Sequence, residues 1–198
     1  MRTKLILIRH GATNWNLEKR YCGRSDINLN SQGRAQGRLL LKRLRQEKIH
    51  KVYSSDRRRS IQTAKIVFKE MRIEKTPELR EMHFGCLEGL THREAIERYP
   101  KIYKRWLEDP FCEVIPGAED LTAFKKRVVK AFKKIVALNK GKTIAVISHG
   151  GTIGIFITDI LKSKDFWKFI PLAASLSIVE YKNGKLKVCL FNDTAHLS

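Results

Sequence analysis

Acidic residues and cysteines are both scarce in this chain. Twenty Asp and Glu stand against forty Lys and Arg, so the 198-residue sequence carries a formal net charge of +20. An excess of one sign on that scale directs attention to an anionic partner: nucleic acid, acidic lipid or a phosphorylated small molecule. The four cysteines, Cys22, Cys86, Cys112 and Cys189, lie 64, 26 and 77 positions apart. No pair has the close spacing of a zinc knuckle or a redox dithiol. Long apolar runs are missing too, and nothing approaches the roughly 20 residues of a membrane span. Met1-Arg2-Thr3-Lys4 leads straight into a strand-like segment, without the apolar stretch and small-residue cleavage site of a secretory signal. A reduced, cytoplasmic protein with no membrane attachment is expected.

Several familiar motifs fail on inspection. Gly141-Lys142-Thr143 looks like the tail of a P-loop, but it lacks the upstream glycine and precedes a strand. Gly150-Gly151-Thr152-Ile153-Gly154 does not have the dinucleotide spacing, and Ser148 lacks the flanking glycines of a nucleophile elbow. No set of His, Asp or Glu reads as a metal site, and no cofactor is expected. There is no internal repeat, low-complexity segment or linker.

What remains is an ordinary globular balance, 42% hydrophobic and 30% charged, of a length that suits one domain spanning residues 1–198. Lys4–Ile8 and Thr143–Ser148 are short, β-branched and continuously apolar, as strands covered on both faces should be. A third strand is read at Lys51–Ser54. Ser31 is placed to cap a helix to about Gln46, and Ile61, Ala64, Val67 and Phe68 mark a helix from Arg57 to about Met71. Asp120 caps a helix to residue 138, and another runs from Gly150 to about Leu161. Asn183-Gly184 between Ser177–Tyr181 and Lys185–Phe191 is a hairpin signal. Residues 72–118 break the alternation and read as a helical insert over the sheet edge, with a capping box at Thr91–Glu94 opening a helix to Tyr99 and a second short helix around Tyr103 and Trp106. The expected fold is α/β: a three-layer sandwich with a mainly parallel sheet and helices on both faces.

Three of these strands end in unusual chemistry: Arg9-His10-Gly11, Ser54-Ser55-Asp56 leading into Arg57-Arg58-Arg59, and Ser148-His149-Gly150. Ligands of open parallel sheets bind beyond the carboxyl ends of the strands. If these strands are adjacent, two imidazoles and at least two guanidiniums converge on one oxyanion site. Guanidiniums neutralise a phosphoryl dianion in a fork, and a neutral imidazole nitrogen can attack phosphorus. The leaving alkoxide then needs a proton from a nearby carboxylic acid. Glu81 and Glu88 are the natural candidates.

The run Leu7-Ile8-Arg9-His10-Gly11-Ala12-Thr13-Asn14-Trp15-Asn16 resembles the signature of the histidine phosphatase superfamily, in its phosphoglycerate mutase-like branch. Further matching blocks follow in order: Arg20–Asp26, Tyr53–Asp56 with Arg59–Ala64, Leu79–Gly85 with Glu88-Gly89, Ser148–Gly151, and Asn192–Leu197. The resemblance implies His10 as nucleophile, with Arg9, Arg59 and His149 binding the phosphoryl group and Asn16, Gly150, Cys22 and Gly23 adding substrate contacts. It implies Glu81 as general acid and then base. Phe84 stands where the family's substrate-contacting tyrosine falls, and His92 where its mutases carry a lysine; both departures point to a phosphatase. The Arg20–Asp26 run and the short length are most similar to α-ribazole phosphatases of cobalamin synthesis. Phosphoserine phosphatases and cofactor-dependent mutases are the alternatives.

The basic runs Lys42-Arg43, Lys125-Lys126-Arg127 and Lys133-Lys134 fall on the polar sides of amphipathic helices. A nucleic-acid surface would interleave them with aromatics, whereas the aromatics here follow core periodicity. The expected partner is therefore a small phosphorylated metabolite, with no nucleic acid. A basic nucleic-acid-binding protein on an inactive scaffold is the less favoured reading. Either a monomer or a homodimer paired through the edge hairpin fits. Asp26 reads as a turn residue, His83 and His92 as pocket or surface, and His196 as a structural bond.

Overall fold

The structure is a computed structural model describing residues 1–198. Along the chain lie β1 (Arg2–Arg9), α1 (Asn14–Leu17), α2 (Ser31–Arg43), β2 (Lys51–Ser54), α3 (Arg58–Val67) and β3 (Ile73–Lys75). They are followed by α4 (His92–Arg98), α5 (Pro100–Glu108), α6 (Leu121–Leu138), β4 (Thr143–Ser148), α7 (Gly150–Leu161), β5 (Leu176–Lys182) and β6 (Lys185–Asp193). One sheet runs in the order β3-β2-β4-β1-β5-β6. The first four strands are mutually parallel, and the β5–β6 hairpin joins β1 antiparallel. Asn183 and Gly184 both take positive φ, as the two central residues of a tight hairpin turn must.

The apolar runs are central because they have no polar side to give to water. Ile6 and Ile8 of β1, with Ala145 and Ile147 of β4, pack against α2 and α3 through Leu40, Ala64 and Val67. Leu5 and Leu7, with Ile144 and Val146, pack on the opposite face against α6 and α7 through Phe124, Phe132, Ile153 and Ile157. The period-2 alternation of a strand thus feeds two cores and makes the three layers.

Several boundaries differ from the sequence reading. Asn30, not Ser31, caps α2: its Oδ1 accepts from the Gly33 amide at 2.8 Å. That helix ends at Arg43, three residues short of Gln46. α3 occupies only Arg58–Val67, because Phe68 leaves helical geometry (φ −125°) and the chain turns toward β3. β3 itself has no pattern of its own in the sequence; it is three residues long and exists because β2 offers it a paired edge. β3 forms one sheet edge, and α4 and α5 pack on each other. They build a separate core of Leu87, Leu90, Ala95, Tyr103, Trp106 and Ile115, which leans on Tyr21, Phe84 and Trp167.

The loop after β1 is held by backbone contact with the first turn of α2. A side chain on Gly33 would strike the amide nitrogen and carbonyl oxygen of Ala12, and one on Gly11 would strike the Gly33 carbonyl. Gly33→Ala is expected to lower stability by about 1–3 kcal/mol, the usual cost of overpacking. A thermal melt reads this directly, and an unchanged Tm would show that the loop can yield.

Candidate active site

The register puts the three predicted strand ends side by side. β4 lies between β1 and β2, with Arg9 opposite Ser148 and Ser54 opposite Ile147. His10, Ser55 and His149 therefore leave the sheet at one level. The rings of His10 and His149 sit edge to face with centroids 5.2 Å apart.

His10 is nearly buried, at 3% exposure. Its Nδ1 lies 2.8 Å from the carbonyl oxygen of Gly11. A carbonyl only accepts, so Nδ1 carries the proton and Nε2 presents its lone pair. Arg59 Nε–H donates to that lone pair at 3.2 Å. The remaining donors of Arg59 go to the carbonyls of Ser25, Cys22 and Gly23 at 2.7, 3.2 and 2.9 Å. His149 Nε2 is 2.8 Å from the hydroxyl of Ser55, while its Nδ1 is buried without a protein partner. Burial, reinforced by the Arg59 and Arg9 guanidiniums, holds both imidazoles well below their ordinary titration point near 6.5, so both are neutral near neutral pH.

Arg9 donates to the Pro171 carbonyl, and its Nε is buried with no partner. Glu81 is 6% exposed and accepts from the backbone amides of Met82 at 3.0 Å and Gly151 at 2.7 Å, the latter in the first turn of α7. Burial raises its carboxyl above the usual range, against the opposing pull of those amides and of Arg59 and Arg9. An acid poised in that way keeps a proton longer than a surface glutamate.

A cavity of about 260 Å³ opens on this group, lined by Arg9, His10, Asn16, Glu81 and Gly150, with Cys22 on its wall. Asn16 spends its Oδ1 on the Thr13 amide, closing a capping box on α1. Burial raises the Cys22 thiol to about 11, which keeps it protonated and unfit as a nucleophile. Arg59 and His149 stand behind His10 and do not line the cavity. Gly23 does not line it either; it lies beneath the wall, where any side chain would strike the Met82 carbonyl and the Glu88 carboxylate. Of the rival carboxylates, Glu88 faces the backbone of residues 23–25 and Glu94 caps α4 while pairing with Arg20.

The other residues singled out in the sequence fall away from the cavity. Asp26 accepts from the Arg58 amide at the start of α3, His83 meets the Gly117 carbonyl, and His196 donates to the Ala174 carbonyl. His92 lines a neighbouring cleft of about 810 Å³ that shares Arg9, Asn16, Arg20 and Tyr21 with the cavity. Arg57 lines neither. Phe84, read from the sequence as a substrate-contacting position, is on the cavity's apolar wall, but sequence reasoning missed the rest of that wall: Tyr21, Met82, Phe166, Trp167 and Ile170. Phe166, Trp167 and Ile170 sit between α7 and β5, where no motif marks them.

This is an α/β sandwich whose strand ends bring two neutral imidazoles and two guanidiniums together, with Arg9, His10 and the raised carboxyl of Glu81 lining one small cavity. The family model of the histidine phosphatase superfamily (branch 1) matches residues 5–194, and the chain belongs to that superfamily. It is 31% identical over 201 residues to a metal-independent phosphoserine phosphatase of Arabidopsis thaliana, across 99% of this chain and 84% of the relative. A putative α-ribazole-5'-P phosphatase from Escherichia coli superposes with a TM-score of 0.89 at 25% identity, over 96% of each chain. A phosphoserine phosphatase from Entamoeba histolytica, solved with phosphoserine, gives 0.91 at 27% identity over 99% of this chain and 100% of that one. The chain is a phosphatase of this superfamily, and no helix in it is long and apolar enough to cross a membrane.

Neutral buried histidines make stability depend on acidity in a defined sense. Below about pH 6.5 the unfolded chain binds two protons that folded His10 and His149 refuse, so their contribution is complete above that pH and is lost as pH falls. Glu81, raised from its ordinary 4.5, acts in the opposite sense and disfavours the fold as pH climbs from there through its elevated value. Relative to wild type, a His10→Gln/His149→Gln double variant is expected to lose less Tm between about pH 7 and pH 5. Parallel Tm curves for the two proteins would contradict neutral histidines.

Proposed function

We propose that the protein hydrolyses a small-molecule phosphomonoester through a phosphohistidine on His10. The observation that carries this reading is the locked tautomer: the Gly11 carbonyl holds the proton on Nδ1 and leaves Nε2 as the only nucleophilic ring nitrogen. In the first step Nε2 attacks phosphorus, the bond to the leaving oxygen breaks, and Glu81 gives that oxygen its proton. Arg59 Nε loses its acceptor when Nε2 bonds to phosphorus, and a phosphoryl oxygen takes the place of the lone pair. Arg9 and His149 each have one buried ring or guanidinium nitrogen with no protein partner, and an oxyanion supplies one to each. In the second step water attacks phosphorus, Glu81 takes its proton, the P–N bond breaks and phosphate departs with His10 neutral again.

The leaving group meets the walls of the cavity. Tyr21, Phe84, Phe166, Trp167, Met82 and Ile170 present apolar and aromatic surface, which favours a ring-bearing alcohol, as in α-ribazole 5'-phosphate. Phosphoserine is the second reading. Relatives bear that name, and Arg20, which lines the same cavity while paired with Glu18 and Glu94, would have to exchange one of those partners for the carboxylate of phosphoserine.

Activity on an aryl phosphate is expected to survive chelator, to fall with vanadate and to vanish in His10→Ala; a fully active His10→Ala protein would end the proposal. In Glu81→Gln the first step, read as the single-turnover release of alcohol, is expected to slow by roughly 10²–10⁴ on alkyl phosphates and little on aryl phosphates, whose leaving groups need no proton, while the second step slows equally for both. Equal first-step losses on both would deny Glu81 the role of acid. A kcat/KM comparison of α-ribazole 5'-phosphate, phosphoserine and sugar phosphates decides between the two substrate readings.

A further inference from the structure

Glu88 carries five hydrogen bonds and does not line the cavity. Oε1 accepts from the amides of Gly23 and Arg24, each at 2.9 Å, and from Phe84 at 3.3 Å. Oε2 accepts from the Ser25 hydroxyl at 2.8 Å and its amide at 3.4 Å. The carbonyls of the same short loop, Cys22, Gly23 and Ser25, take the guanidinium of Arg59. The loop is thus clamped between an anion on its amides and a cation on its carbonyls, with its peptide dipoles aligned between them. Gly23 allows the close approach, since a side chain there would strike Glu88 itself.

We infer that Glu88 is a positioning residue that fixes Arg59 against His10 by way of the Cys22–Ser25 backbone. This rests on the proposed phosphoryl role of Arg59. The carboxylate offers two acceptor oxygens to donors arriving from one side, a match that a carboxamide, with an N–H of its own, cannot reproduce. Releasing the amides frees the loop, and Arg59 then loses the fixed carbonyls that aim its Nε. Misplacement by about 1 Å costs on the order of 10²-fold in rate.

The test is Glu88→Gln assayed in the full-length protein on an aryl and an alkyl phosphate, with His10→Ala as the blank. Expected is a fall in kcat of about 10–100-fold of the same size on both substrates, because charge on the transferring phosphoryl group is common to both. Vanadate inhibition should weaken in step. In an Arg59→Lys background the same substitution should add little. A loss confined to the alkyl phosphate would make Glu88 a proton donor and overturn the inference. So would wild-type kinetics, or a loss that multiplies in full with that of Arg59→Lys. If circular dichroism shows Glu88→Gln unfolded, Ser25→Ala removes one of the five bonds and carries the same comparison; unchanged kcat and vanadate inhibition in it would overturn the positioning role. Activity persisting in the His10→Ala blank would instead defeat the underlying phosphohistidine reading.

Discussion

Arg59 has no accessible surface, and a guanidinium taken wholly out of water is tolerated only when its N–H groups are matched. Three backbone carbonyls from one loop and the lone pair of His10 do that matching. The charge then acts on everything near it. It opposes protonation of both imidazoles, adding to the effect of burial, and it draws on Glu81 from the other side. The result is a neutral histidine near a glutamate whose carboxyl burial raises above its ordinary range, the pairing that the proposed two-step chemistry uses.

The sheet supplies the frame that makes such a concentration of charge affordable. β1 and β4 are buried on both faces, so their backbone ends emerge from a rigid layer and cannot drift. One side of that layer is closed by α2 and α3, the other by α6 and α7. The small core around Trp106 closes the third side and brings Tyr21, Phe84 and Trp167 to the apolar wall of the cavity. The surface basic runs take no part in the cavity.

Much of this was legible along the chain, and the illegible parts share a cause. The two buried strands, the hairpin, the long helix capped by Asp120 and the two histidines each carry a local signal: apolar continuity, Asn-Gly, a capping side chain, or His before Gly at a strand end. The choice of Glu81 over Glu88 has no local basis. Both lie in irregular chain within eight positions, and only packing shows one facing the cavity and the other a loop, whereas Glu94 carries the local signal of a capping box at the start of α4. The position of Gly23 was illegible for a similar reason, since a glycine that lines a pocket and one that lies beneath its wall read alike. β3 went unseen because three residues hold no periodicity.

Composition and pattern by themselves determined an α/β sandwich with a histidine at the end of each of two central strands, because burial on two faces and the break at glycine are properties of consecutive residues. Only the tertiary structure decided which of three successive arginines is buried against His10. Arg57 precedes α3 in extended geometry, and Arg58 and Arg59, its first two residues, point about 100° apart. Arg58 is exposed, while Arg59 alone meets the carbonyls and the imidazole that satisfy a buried charge. That selection depends on a loop more than thirty residues back in the chain, whose amides are held by Glu88, 29 residues further along.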